Sequence, residues 1–166
     1  LIENSTTPLV LDADALNCVA KQPEILLRKK APIIITPHPG EMSRLTGLAT
    51  PLVNAERERV ALDFTQKYGV VTVLKGAGTV IASPNGKVLV NPTGNSGMAT
   101  GGSGDVLAGM TASILAQGAS AFSSAAAAVY LHGLAGDIAA EKYGKISMLP
   151  TDLINCIPLA YKRCGF

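Results

Sequence analysis

At 166 residues, with 48% apolar and 16% charged side chains, the chain can bury about 70% of its unfolded surface in one core, which excludes disorder. A net charge of +2 with three Phe, four Tyr and no Trp offers no basic, aromatic-rich face for nucleic acid. Cys18, Cys156 and Cys164 are odd in number and lack metal spacing, so they read as reduced thiols of a cytoplasmic protein.

The opening "LIENSTTPLVLD" has no initiating methionine or signal peptide and enters a strand pattern almost at once, the mark of a processed or truncated product. "PLVLDAD" (8–14) predicts a strand, followed by helical segments over 15–20 and 23–30. Arg28, Lys29 and Lys30 end the second of these, as cations complementing a helix C-terminus. "PIIITP" (32–37) predicts a second strand, and "GEMSRLTG" (40–47) a short helix closed by Gly47. "NAERERVALDFTQKYG" (54–69) predicts one full helix with a glycine stop, and "VVTVLKG" (70–76) a third strand. "TVIASPNGKVLVNP" (79–92) predicts a hairpin on the two-residue turn Asn85-Gly86. Helices are predicted over 104–117, 120–142 and 151–163. Within the second, "AFSSAAAAVYLHGLAGDIAA" is broken by serines, His132 and Asp137, so it reads as a helix packed closely through small residues and not as a membrane span.

Unbroken Val, Ile and Leu strands separated by helices predict a single α/β domain over 1–166. Its sheet is mostly parallel with an antiparallel hairpin near an edge, and helices cover both faces. In such sheets ligands bind beyond the carboxyl ends of the strands. Each apolar strand here ends in polar residues: Asp12, Asp14 and Asn17 after the first, His38 and Glu41 after the second, Lys75 after the third. Each has a plainer reading too. Asp14 can be a helix N-cap, His38 a residue in a turn stiffened by Pro37 and Pro39, Glu41 a first-turn acid, and Lys75 a solvated strand end. Their convergence on one rim points to a functional cleft.

"NPTGNSGMATGGSGDVLAGM" (91–110) places six glycines in twenty residues and then enters a helix. It matches neither the P-loop nor the dinucleotide fingerprint. A helix starting near Gly104 nevertheless presents unpaired N–H groups and about half a positive charge. Gly101, Gly102 and Gly104, with Ser103 between them, let backbone approach an anion, which makes an anion hole for phosphate. An aspartate in that first turn repels phosphate, so dipole compensation alone is a poor reason for Asp105. A base that takes a proton from an attacking hydroxyl is a better one.

"GGSGD" opening a helix after a strand ending in Lys-Gly resembles the ribokinase-like small-molecule kinases. "LDADALN", "TPHPGEMSRLTG", "VLKGAGTVI" and the glycine-rich stretch together resemble the ATP- or ADP-dependent NAD(P)H-hydrate dehydratases over nearly the whole chain, with "YLHGLAGD" also family-like. The resemblance implies a three-layer ribokinase-like fold and repair of hydrated NADH or NADPH. A nucleotide donates its terminal phosphate to the hydrate hydroxyl, and elimination of phosphate restores the ring. It further implies that Lys75, Gly76, Ala77, Gly78, Thr79 and Gly104 line the adenine nucleotide, with Asp105 as base. Asp105, His38, Asp14 and Asn17 would face the hydrate. Mg2+ would travel with ATP or ADP, and Glu41 would reach it through water. Family members carry a further N-terminal part of the domain, so a missing N-terminal segment or a homo-oligomer is expected to cover the sheet edge. The competing readings are a kinase of the hydroxyethylthiazole or hydroxymethylpyrimidine type and a non-catalytic nucleotide-binding half-domain; "HPGE" and "NPTGN" argue against the first.

Overall fold

The isoleucine run Ile33–Ile35 is buried at every position, as a strand sandwiched between two helical layers must be. In the computed structural model, which describes residues 1–166, it is β2 of a five-stranded sheet ordered β1 (Leu9–Leu11), β2, β3 (Val71–Leu74), β4 (Val80–Ala82), β5 (Val88–Val90). β1 pairs parallel with β2 (Leu9 opposite Ile33), and β2 parallel with β3 (Ile34 opposite Val71). β4 runs antiparallel to both β3 and β5, so it alone points the other way. The mostly parallel sheet with an antiparallel hairpin at one edge is as expected.

Alternation along the strands divides the core in two. Ile34, Val71, Val73 and Ile81 face α5 (Ser103–Ala116), α6 (Ala121–Tyr143) and α7 (Pro150–Arg163). Ile33, Ile35, Leu74, Val80 and Ala82 face α1 (Asp14–Ala20), α2 (Pro39–Thr46), α3 (Thr50–Ala55) and α4 (Arg57–Tyr68). The two clusters hold 18 and 17 buried residues, so both faces are covered to the same extent and the fold has three layers. The one polar residue inside β3, Thr72, is satisfied across the layers, accepting a hydrogen bond from the Thr65 hydroxyl of α4 at 2.7 Å.

Three elements differ from expectation. Pro23–Arg28 is 3₁₀ and not α; its Lys29 does act on a helix end, donating to Tyr68 O, the last carbonyl of α4, at 2.8 Å. The helix predicted over 54–69 is two helices, broken at Glu56, whose φ of −126° and ψ of 42° leave the α region. The β4–β5 loop is Pro84-Asn85-Gly86, one residue longer than predicted. Gly86 N donates to Ser83 O at 2.9 Å and Gly86 takes φ +89°, because Pro84 favours an ordinary turn that the glycine must then correct. No helix is long and apolar enough to cross a membrane. All three cysteines are free, Cys156 buried in the core and the others exposed.

Candidate active site

Parallel pairing carries the ends of β1, β2 and β3 to one rim. Thr36 N donates to Leu11 O and Lys75 N to Pro37 O, which brings the segments beyond the three strands together. Directly after β1, Ala13 adopts φ 50° and ψ −120°, the only non-glycine residue with positive φ. Such strain persists where the surroundings impose a sharp turn, often at a functional site. The turn leaves Asp12 in the cleft, where its Oδ1 accepts from Lys75 Nζ at 2.7 Å. Lys75 also lies 3.9 Å from Glu41 Oε2, so one ammonium sits between two carboxylates.

Glu41 is 5% exposed and belongs to a capping box. Its Oε2 accepts from His38 N at 2.7 Å, while His38 Nδ1 accepts from Gly40 N at 3.0 Å and Glu41 N at 3.4 Å. An accepting Nδ1 leaves the proton on Nε2 in the neutral ring; Nε2 lies 3.6 Å from Glu41 Oε1, and the imidazole is half-exposed. His38 is therefore both the N-cap of α2 and a group on the cleft rim.

The opposite wall is the start of α5. No side chain caps it, and the N–H groups of Gly101, Gly102, Gly104 and Asp105 have no acceptor within the chain. Gly102, at φ +97°, turns the chain into the helix. A Cβ on Gly104 would lie 3.5 Å from Lys75 Nζ and 3.9 Å from Asp12 Oδ2, so the free N–H groups and the strand-end lysine share one cleft. Asp105, next in the chain, is exposed. Between β3 and β4, the N–H groups of Gly76, Ala77 and Gly78 also lack acceptors, while the Gly76 carbonyl accepts from Thr79 Oγ1 at 3.0 Å and that of Thr79 from Asn91 N at 2.9 Å. An open cavity of about 470 Å³ adjoins this loop, lined in part by Arg57, Ala77, Gly78, Val80 and Val90.

The glycine-rich loop rests on α6. Asp137 accepts from Gly94 N at 2.8 Å and from Asn95 Nδ2 at 2.9 Å, and Thr93 Oγ1 donates to Tyr130 O at 2.9 Å. A side chain on Gly133 would overlap Thr93, and one on Gly136 would overlap Met98, so α6 is bare where the loop lies on it. His132 ties α6 to the start of α5: its Nε2 donates to Ser103 O at 2.9 Å. Burial pushes its pKa down to about 4, against a smaller opposing effect of that hydrogen bond, so the ring is neutral.

The structure thus groups Lys75, Glu41, His38 and Gly104, with Asp105 at the helix start. Ser103 differs from its neighbours, since its N–H donates to Thr100 O at 3.3 Å. Asp14 and Asn17 lie on the outer rim, where Asn17 Nδ2 donates to Asp14 Oδ1 at 3.3 Å and Asn17 Oδ1 accepts from Arg44 Nε at 2.9 Å. Asp14 caps nothing; Ala13 occupies that position. Sequence reasoning placed Asp12 on the rim beside Asp14 and Asn17 but gave it no role, and it assigned none to His132 or Asp137. For Asp12 the signal was its place directly after the strand; for the other two it was the polar interruption of an alanine-rich helix.

The profile of the Carb_kinase family, described as NAD(P)H-hydrate dehydratase, matches residues 1–159. The chain is 45% identical over 163 residues to the bifunctional NAD(P)H-hydrate repair enzyme Nnr of Moorella thermoacetica, covering 98% of this chain and 31% of that protein. It superposes at TM-score 0.88 and 35% identity on an ADP/ATP-dependent NAD(P)H-hydrate dehydratase of Bacillus subtilis co-crystallised with ATP and Mg2+, covering 98% of this chain and 57% of that one. On a ribokinase-like superfamily protein of Enterococcus faecalis the TM-score is 0.77 at 33% identity, over 93% of this chain and 52% of the other. The chain therefore spans between about a third and just over half the length of these relatives. With a ribokinase-like fold and a family match running almost from end to end, the chain belongs to the NAD(P)H-hydrate dehydratase family.

Proposed function

We propose that this chain forms the nucleotide-binding and catalytic part of an ATP- or ADP-dependent NAD(P)H-hydrate dehydratase. The observation that carries the reading is the meeting of Lys75 with the open N-terminus of α5, where Gly104 faces the ammonium and Asp105 follows. Free N–H groups at Gly101, Gly102 and Gly104 suit the charge that develops on a transferred phosphoryl group. Lys75, Gly76, Ala77, Gly78 and Thr79 line the nucleotide, with the loop donors of Gly76 to Gly78 turned to it.

Asp105 takes the proton of the hydrate hydroxyl as that oxygen attacks the terminal phosphorus. The bond to the leaving nucleotide oxygen breaks, releasing ADP from ATP or AMP from ADP. The ring carbon–oxygen bond then breaks with its electron pair, phosphate departs, and loss of the neighbouring ring proton restores the double bond. His38 presents Nε2 to the hydrate. Asp14 and Asn17 sit farther out, within reach only of an extended substrate such as a dinucleotide.

No three acidic, His or Cys side chains cluster as a metal cage. Two cleft carboxylates, Asp12 and Glu41, fit Mg2+ that arrives with nucleotide phosphates and keeps most of its waters. Glu41 would reach it through water. When bound, the ion neutralises charge on the phosphates.

The test is Asp105→Asn, assayed on the full polypeptide that carries this chain with NADH hydrate and ATP or ADP. Recovery of NADH absorbance with free phosphate is expected for the parent. For the variant, turnover should fall by roughly 10²–10⁴, with nucleotide affinity unchanged or tighter because a negative charge beside the phosphates is gone. A variant turning over within a few-fold of the parent ends the base assignment. Accumulation of a stable phosphorylated product replaces the dehydratase reading with a kinase.

A further inference from the structure

Arg57 occupies an unfavourable position by every local rule. It is the first residue of α4, where the helix dipole disfavours a cation. Its guanidinium is half-buried, and desolvation lowers its pKa. No carboxylate pairs with it: the neighbouring Glu56 is taken by Arg59, which also lies 3.7 Å from Asp63. Its Nε is buried without any hydrogen-bond partner. Placement of this kind is retained where something else depends on it.

What depends on it is the loop after β3. Arg57 Nη2 donates to Leu74 O at 2.8 Å and approaches Gly78 O at 3.5 Å, so one guanidinium spans the two ends of the turn. Gly76 lies over the guanidinium. A Cβ there would overlap Nη1 and come within 2.9 Å of Cζ, and Gly76 also takes φ +148°. With the carbonyls at 74 and 78 drawn towards α4, the N–H groups of Gly76, Ala77 and Gly78 are left without acceptors in the chain. The break at Glu56 brings this about, because it starts α4 at Arg57 beneath the turn. A continuous helix would carry residue 57 in its middle.

We propose that Arg57 is the positioning residue of the Lys75–Thr79 loop: it fixes the loop carbonyls from beneath so that the loop N–H groups face the ligand, and its guanidinium, together with the positive φ, keeps position 76 glycine. The proposal rests on the reading of that loop as the nucleotide loop. Arg57 itself makes no contact with the ligand; it acts through the backbone of residues 74 to 78.

The experiment is a double-variant cycle of Arg57→Leu and Gly76→Ala. Its two readouts are calorimetric affinity for ADP or ATP with Mg2+, and amide hydrogen exchange at residues 76–78. Each single variant should weaken nucleotide binding by roughly ten- to a hundredfold, the scale of one charged donor, and should speed exchange in the loop. The double variant should lose less than the two singles combined, since the overlap of Ala at position 76 with the guanidinium disappears with Arg57 while the cost of the positive φ remains. Arg57→Lys, with a point charge that cannot fork between two carbonyls, should behave like Leu. If Arg57→Leu fails to fold, Arg57→Gln, neutral and able to donate to one carbonyl, takes its place and should lie between parent and Gly76→Ala. Unchanged loop exchange in the folded Arg57 variants, or additive effects in the cycle, overturns the proposal. Variants that show the exchange effects, with a parent that binds no nucleotide, keep the positioning role and remove the nucleotide reading instead.

Discussion

Lys75 Nζ stands 2.7 Å from Asp12 Oδ1 and 3.9 Å from Glu41 Oε2, so the cation at the end of β3 is held by acids that follow β1 and β2. The pair is largely withdrawn from water, with side chains 19% and 12% exposed for Lys75 and Asp12. At that depth, leaving one charge alone costs more than the pair contributes.

Asp12→Asn should therefore lower stability by about 2 kcal/mol, less than for a fully buried pair because the cleft is open. Adding Lys75→Met should recover most of that loss, since neither charge then remains. The double variant should nonetheless bind nucleotide more weakly than the parent. Urea unfolding and a nucleotide titration on the three variants separate the two effects. Equal stability of Asp12→Asn and parent would show that the ion pair contributes nothing.

His38 serves the helix and faces the cleft, and two substitutions divide those roles. Asparagine is a good N-cap, so His38→Asn should keep α2 stable while His38→Ala costs about 1 kcal/mol. Both should raise the KM for hydrate and leave nucleotide affinity near that of the parent, because the imidazole edge is lost in each. An Asn variant with the parent's KM for hydrate would reduce His38 to a cap.

Burial of His132 makes the fold sensitive to acid. Its pKa drops from 6.5 to about 4 on folding, so between those values the unfolded chain takes up a proton that the folded chain refuses. The stabilising contribution is complete above the unfolded value of 6.5, declines as pH falls, and is gone once pH drops below about 4. By linkage this amounts to about 3 kcal/mol. Denaturation at neutral pH and near the lower pKa should show the parent losing that much more stability than His132→Gln, which has no charge to gain. Parallel pH dependence in the two proteins would place the acid-sensitive group elsewhere.

Much of the fold was legible in the sequence because burial on both faces leaves a local mark. Ile33–Ile35 can satisfy three buried positions only as a strand between two layers, and Gly47 and Gly69 stop their helices at φ +76° and +62°. The open start of α5 was legible for the same reason, as a run of glycine before a helical pattern marks a turn that must present bare backbone. Composition and periodicity also determined the layer order, through strands of continuous apolar residues separated by helices.

What only the tertiary structure decided is partnership. Asp12 and Asp14 are two residues apart in one motif, and the sequence does not say which of them meets Lys75. The strained Ala13 turn leaves Asp12 with Lys75, 63 residues away, and puts Asp14 on the rim with Asn17. His132 reaches Ser103 across 29 residues, and Arg57 faces inward only because Glu56 breaks a pattern that reads as one helix. Hydrophobic periodicity reports which face an element buries. Which polar groups then meet depends on where separate strands and helices end in space, and the sequence does not carry that in any window short enough to read.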